Sequence, residues 1–161
     1  MACVRPADSR LIRLVVVCCL LLVGCTDDGL SPEVQLRETI EAIATAVEAG
    51  KMKPVGENLA DDYRDNRHRD KRAALATLYW YLRQHRNIHL FTLVRSLELD
   101  DSGQTARSVV MVAMAGVPIA SRASLVSLNA DFYRFDVTWR YEEGHWRVTG
   151  SEWQRSTLAD F

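Results

Sequence analysis

Helices first and a long antiparallel sheet second, an α+β order, is the fold class that this 161-residue sequence predicts. Apolar residues recur at helical spacing up to about residue 86. From Asn87 onward β-branched and aromatic residues dominate, with glycines at turn positions. A third observation is length: the chain left after a leader of 24 residues is about 137 residues, one domain by the usual prior and able to bury a core without staples.

The leader is the sharpest motif. Leu14 to Val23 is apolar, Arg5, Arg10 and Arg13 precede it, and Leu22-Val23-Gly24-Cys25 closes it. A span needs about 20 apolar residues, so this run is too short to cross a bilayer and reads as a secretory signal with a cysteine directly after the cleavage point. The expected organisation is residues 1–24 as a lipoprotein signal peptide, 25–30 as lipidated Cys25 and a short tether, and 31–161 as one domain. The address is then the bacterial cell envelope, facing the periplasm. Thr26 stands where an Asp would retain a lipoprotein in the inner membrane under the sorting rule of enteric bacteria, and that likeness favours the outer membrane.

Cys3, Cys18 and Cys19 fall in the leader, so the mature domain has no thiol free to form a disulfide, a nucleophile or a cysteine metal site. Removing Arg5, Arg10, Arg13 and Asp8 from the 20 basic and 21 acidic residues leaves a net charge of about −3, which as an overall balance gives no drive toward nucleic acid or anionic lipid.

Ser31-Pro32-Glu33 opens a first helix with a capping hydroxyl, a proline suited to the first turn and a carboxylate at the positive end of the dipole. Leu36, Ile40, Ile43 and Val47 share one stripe, and Gly50 can end the helix. A second helix is expected over about Val55 to Tyr63, with Leu59 and Tyr63 at i and i+4. A third runs from an Asp70 cap to about His85 or Arg86, with Leu75, Leu78, Tyr79 and Leu82 buried. Strands follow at about Ile88 to Leu99, Thr105 to Ala115, Ser124 to Tyr141 and His145 to Arg155. Asp101-Ser102-Gly103 and Glu143-Gly144 are turns, and 116–123 is a longer connection.

The last hairpin has one register that segregates apolar from polar residues, with Tyr141 opposite Trp146 and Trp139 opposite Val148. Continued without interruption, it sets Phe135 opposite Glu152 and Tyr133 opposite Gln154. A carboxylate and an amide would then project from an apolar face, where an unpaired charge is costly, and Tyr133, Phe135, Trp139, Glu152 and Gln154 become candidate ligand-pocket residues.

From about Glu33 to Arg155 the chain resembles the nuclear transport factor two-like superfamily, which includes SnoaL-type cyclases and ketosteroid isomerases. The likeness rests on Ala49-Gly50 leading into Leu59-Ala60-Asp61-Asp62-Tyr63, on the helix 71–86, and on Tyr133 to Val148 with Trp139, Tyr141, Glu143-Gly144 and Trp146-Arg147-Val148. It implies three helices closing a strongly bent, mostly antiparallel four-stranded sheet, the cystatin-like cone, around a pocket. The isomerases place an aspartate base shortly after the segment matching Asp61-Asp62. An ungapped count brings Arg67 there and a gap brings Asp65, which with His68 makes a candidate pair of base and orienting group.

His85 and His89 straddle a helix end, so they lack the same-face geometry of a ligand pair; neither a metal nor a cofactor is expected. Val109 to Met114 is apolar on both parities, a pattern of strands covered on both sides. A homodimer through the sheet face is one cover, and the 116–123 loop or the domain's own curvature is the other. The expected protein is a lipid-anchored, non-catalytic module that binds a small apolar ligand or assembles with protein; the alternative is a SnoaL-like isomerase, cyclase or hydrolase acting on a small apolar substrate. Cys25→Ser is expected to abolish incorporation of radiolabelled palmitate into the expressed full chain, which the wild type incorporates; equal labelling of both would refute the lipid anchor.

Overall fold

The computed structural model describes residues 30–85 and 87–161, so the expected signal peptide and Cys25 lie outside the described residues. Its elements in chain order are α1 (Pro32–Glu48), α2 (Met52–Glu57), β1 (Leu59–Asp65), α3 (Lys71–Gln84), β2 (His89–Leu99), β3 (Thr105–Ala115), β4 (Ala130–Glu142) and β5 (His145–Arg155). Short 3-10 segments occupy Arg122–Ser127 and Leu158–Asp160.

The caps read from sequence are in place. Ser31 Oγ accepts the Val34 amide at α1, and Asp70 Oδ1 accepts the Ala73 amide at 2.8 Å at α3. Gly50, at φ 65°, closes α1: its amide reaches the Val47 carbonyl while the Lys51 amide reaches Ala46, the paired bonds of a Schellman ending.

The sheet is mixed and five-stranded, in the order β1-β5-β4-β3-β2, with β1 parallel to β5 and every other pair antiparallel. The fifth strand is β1, where a helix over Val55 to Tyr63 was expected. Leu59 and Tyr63 satisfy a two-residue period as well as a four-residue one, and the free edge of β5 decides between them. The Val148 amide bonds the Asn58 carbonyl at 2.9 Å and the Asn66 amide bonds the Ser151 carbonyl at 3.2 Å, so this backbone is satisfied by pairing rather than by helix. Strand β4 likewise starts at Ala130 rather than Ser124, because Ser121 and Ser124 cap each other into the 3-10 segment.

Two cores sandwich the sheet. On the inner face, Leu36 and Ile40 of α1 pack with Tyr63, Ala106, Val110, Val137, Trp139, Trp146 and Val148. On the outer face, Met111 and Ala113 are buried with Leu125 and Phe161, joined by Ile119, Phe132 and Leu158. The double apolar parity of β3 is therefore accounted for at this end of the sheet by the chain itself, through the 116–127 connection and the C-terminal turn. Helix α3 is a poorer fit: none of its residues is fully buried, and Tyr79, expected in its buried stripe, is exposed.

In the last hairpin, Tyr141 faces Trp146 and Trp139 faces Val148, as the segregation of apolar residues requires. Beyond them a bulge inserts Thr149, and from Gly150 on the pairing moves by one residue: Gly150 faces Thr138, Ser151 faces Val137, Glu152 faces Asp136 and Trp153 faces Phe135. The single-register reading of this hairpin is thereby corrected. Gly150 is required where three strands close up, since a Cβ there would lie 3.1 Å from Thr138 Oγ1 and 3.3 Å from the Arg64 carbonyl oxygen. Gly150→Val is expected to destabilise the domain by about 1–3 kcal/mol through overpacking, read as a lower midpoint in urea unfolding; a variant as stable as wild type would show that β1 does not close on β5 here.

Candidate functional site

Where β1 leaves the sheet, Asp65 folds the chain back on itself. Its amide bonds the His68 carbonyl, and its carboxylate gathers four donors. Oδ1 accepts the amides of Arg67 and His68 at 2.7 Å each, while Oδ2 accepts the Tyr63 hydroxyl at 3.0 Å and lies 2.8 Å from His68 Nδ1. The Asp65 side chain is only 4 % exposed and that of His68 17 %. Burial pushes the Asp65 carboxyl up, but hydrogen bonds from the Arg67 amide, the His68 ring, the His68 amide and Tyr63 outweigh it and hold the group below the usual carboxylate range. Burial pushes the Tyr63 hydroxyl far above its ordinary value, against the opposing bond with Ser151 Oγ at 3.0 Å, so Tyr63 stays protonated as a donor.

The chemical roles follow from this saturation. A carboxylate with about four lone-pair sites, all engaged, has none left for a substrate proton, so Asp65 orients rather than abstracts. With Nδ1 turned to Asp65, the other ring nitrogen of His68, Nε2, is left free, with no hydrogen-bond partner among the described residues. His68 is the group here that can accept or deliver a proton.

Beside this cluster stands an aromatic wall. Ser151 and Trp153 share a face of β5, and the Trp153 ring packs against Phe135 at 6.1 Å and edge-on to Tyr133 at 6.0 Å. The Arg67 guanidinium lies 4.0 Å above the Trp153 ring, and Asn66 Nδ2 donates to the Trp153 carbonyl at 2.9 Å. From α3, the Tyr81 hydroxyl donates to Met114 Sδ at 3.0 Å.

The structure thus brings Asp65 and His68 together and places Tyr133 and Phe135 on the adjoining wall. It does not bring in the other candidates. Trp139 is buried in the inner core, its indole N–H donating to Ser108 Oγ at 2.9 Å. Glu152 and Gln154 stand opposite Asp136 and Arg134 on the outer face, because the bulge reverses their parity. Tyr63, Ser151 and Trp153 escaped the sequence reading; the signal that could have found Ser151 and Trp153 is Gly150, since a glycine inside a strand pattern marks a bulge.

Two open cavities are present, the first of which also borders Asp65, Asn66 and Ser151. One of about 660 Å³ crosses the outer face between Arg64, Glu98, Arg107, Asp136, Thr138 and Glu152. One of about 470 Å³ lies between α1 and the β4–β5 turn, beside Glu38, Asn58, Tyr141 and Trp146. Among the described residues no group of three or more His, Cys, Asp or Glu side chains is placed to hold a metal ion.

No family model matches the chain, and no curated protein does. Solved structures do. A putative scytalone dehydratase from Novosphingobium aromaticivorans superposes with a TM-score of 0.63 at 10% identity, over 78% of this chain and 84% of that one. A protein from Nostoc punctiforme described as a domain of unknown function with a cystatin-like fold gives 0.59 at 12% identity, over 80% of each chain. An NTF2-like protein of unknown function from Pseudomonas putida gives 0.56 at 20% identity, over 78% of this chain and 89% of that one. The chain has the nuclear transport factor two-like, cystatin-like cone fold; identities this low establish the fold and leave the site to be argued from its own residues.

Asp65 tests that argument. Asp65→Asn removes acceptors from the buried His68 and Tyr63 donors and is expected to cost about 1–3 kcal/mol of stability at neutral pH. Because the folded Asp65 pKa is depressed, its contribution is present above the unfolded value of about 4 and is lost as pH falls through the folded one, so D65N is expected to lose less stability than wild type on acidification below about pH 4. Parallel acid-unfolding curves would contradict the assignment.

Proposed function

We propose that this chain is a lipid-anchored protein of the bacterial cell envelope whose cone binds a small, largely apolar, ring-bearing molecule at the inner face, between α3 and the Tyr133–Phe135–Trp153 wall. The observation that carries the reading is this corner: α3, which reaches the inner face through Tyr81 on Met114, has not one fully buried side chain, and beside it Asp65 fixes His68 with a free nitrogen. Elements with so little buried surface open at low cost. The ligand ring takes the place of the Arg67 guanidinium on Trp153, and a hydroxyl on the ligand donates to His68 Nε2. The lipobox ending at Cys25 supports the anchor, and Thr26 after it supports the outer membrane.

A second reading is favoured by the Asp65–His68 pair itself. An imidazole held in one tautomer by a carboxylate is equipped for general acid–base work, so the bound molecule is a substrate for isomerisation, cyclisation or dehydration, with His68 moving the proton and Asp65 positioning it. The neighbour named a putative scytalone dehydratase fits this reading.

The test uses 2-naphthol, a ring with one hydroxyl donor, titrated while indole and imidazole resonances are followed. Trp153→Ala is expected to weaken binding about three- to tenfold, the equivalent of an aromatic contact of ~0.5–1.5 kcal/mol. Glu152→Gln, on the other face, is expected to leave binding unchanged. Equal affinity of W153A and wild type would refute the site.

A further inference from the structure

Helix α3 presents a second face, opposite the one turned to the sheet. At 100° per residue, Arg72, Ala76, Tyr79, Trp80 and Arg83 fall within one arc of about 100°, and all five are exposed. Trp80 is 60% exposed and Tyr79 43%, with their rings edge to face at 5.5 Å. An exposed Trp–Tyr pair is an unusual burden for a surface helix, since such rings contribute most when their apolar body is covered and their polar tip stays wet. Arg72 and Arg83 lie about 16 Å apart along the axis, one on each side of the aromatic pair.

Charge segregates between the helices. α3 contains Lys71, Arg72 and Arg83 and no acidic residue, whereas α1 carries Glu33, Glu38, Glu41 and Glu48 against Arg37. Lys71 is engaged by Asp61 and the Leu59 carbonyl, and Asp70 by its cap; Arg72 and Arg83 make no ion pair among the described residues. An anionic surface would therefore attract the α3 face and repel α1, and so select one orientation of the domain.

We propose that this face of α3 docks on the bilayer to which the chain is anchored, with Trp80 and Tyr79 in the headgroup region and Arg72 and Arg83 on anionic lipid phosphates. The inference rests on the Cys25 anchor proposed above. The six residues from Cys25 to Leu30, five Cα steps, reach at most about 18 Å, so the tether holds the domain against the membrane surface and makes the contact effectively intramolecular. Aromatic side chains flanked by arginine are what a membrane–water interface takes up, and no helix among the described residues is long and apolar enough to go further and cross it. Because α3 also reaches the inner face of the sheet, through Tyr81 on Met114, docking places that corner at the boundary where apolar molecules dissolve.

The test is fluorescence quenching. The full processed chain, with acylation at Cys25 read by mass spectrometry on the same sample, is reconstituted in vesicles of phosphatidylethanolamine and phosphatidylglycerol with brominated acyl chains. Wild type is expected to be quenched, W80F and W80F/W153F alike to lose that quenching while the buried Trp139 and Trp146 still emit, and R72Q/R83Q to be quenched less, each arginine being worth roughly a fivefold change in the docked-to-free ratio. Acylated wild type without quenching, or quenching that persists in W80F, overturns the docking face and leaves the stripe to an acidic protein partner. Unacylated protein that is still quenched through Trp80 when mixed with the vesicles supports the face and refutes the anchor alone.

Discussion

One extra residue in β5 governs the rest of the structure. Thr149 has no partner in β4, and the pairing on either side of it differs by one, so the residues from Ser151 onward face the opposite way from what the Tyr141–Trp146 end requires. The same step puts Gly150 where the β1 backbone closes in, with Thr138 and the Arg64 carbonyl in contact range of any added Cβ. Without it Ser151 and Trp153 would face outward, Tyr63 would lose its hydroxyl partner, and Glu152 would be driven into an apolar core.

That reversal lets one sheet serve two interiors. Its helical side is filled by α1 and by the aromatic and aliphatic residues of β3, β4 and β5, and one end of its outer side is closed by Leu125, Ile119, Leu158 and Phe161 from the chain's own connections. Between that covered end and the Asp62–Arg140–Glu142–Arg147 ion-pair network, the outer face is polar and open. Packing is therefore dense where α1 sits and thin where α3 sits, and the chemistry-bearing residues collect at the thin corner. Elements that must admit a ligand are drawn from the weakly packed part of a fold.

At that corner the division of labour is set by lone pairs. Asp65 spends its accepting capacity on the turn that it closes, on Tyr63 and on the imidazole, and gives up its own basicity by doing so. What it leaves available is the far nitrogen of His68, in the same turn as Arg67, whose guanidinium lies over the Trp153 ring.

The sequence by itself determined the α+β order, the caps of α1 and α3, the bounds of β3 and β5, and the start of the last hairpin. Each of these is written in the spacing of neighbours: Ser31 three residues before Val34, Gly50 just past the helix end, Trp139 and Tyr141 alternating with Arg140. Asp65, with His68, came forward only through the resemblance to the isomerases and only with a gap in the count. What only the tertiary structure decided is β1, the bulge, and the facing of Trp153, Glu152 and Tyr79. Leu59 to Tyr63 is locally compatible with helix and strand alike, and the unpaired edge of β5 chose the strand. Thr149-Gly150 is locally compatible with a continuous strand, and the need to seat β1 against Gly150 selected the bulge. Local propensity is symmetric between such alternatives, and hydrogen-bond satisfaction against a distant segment breaks the tie.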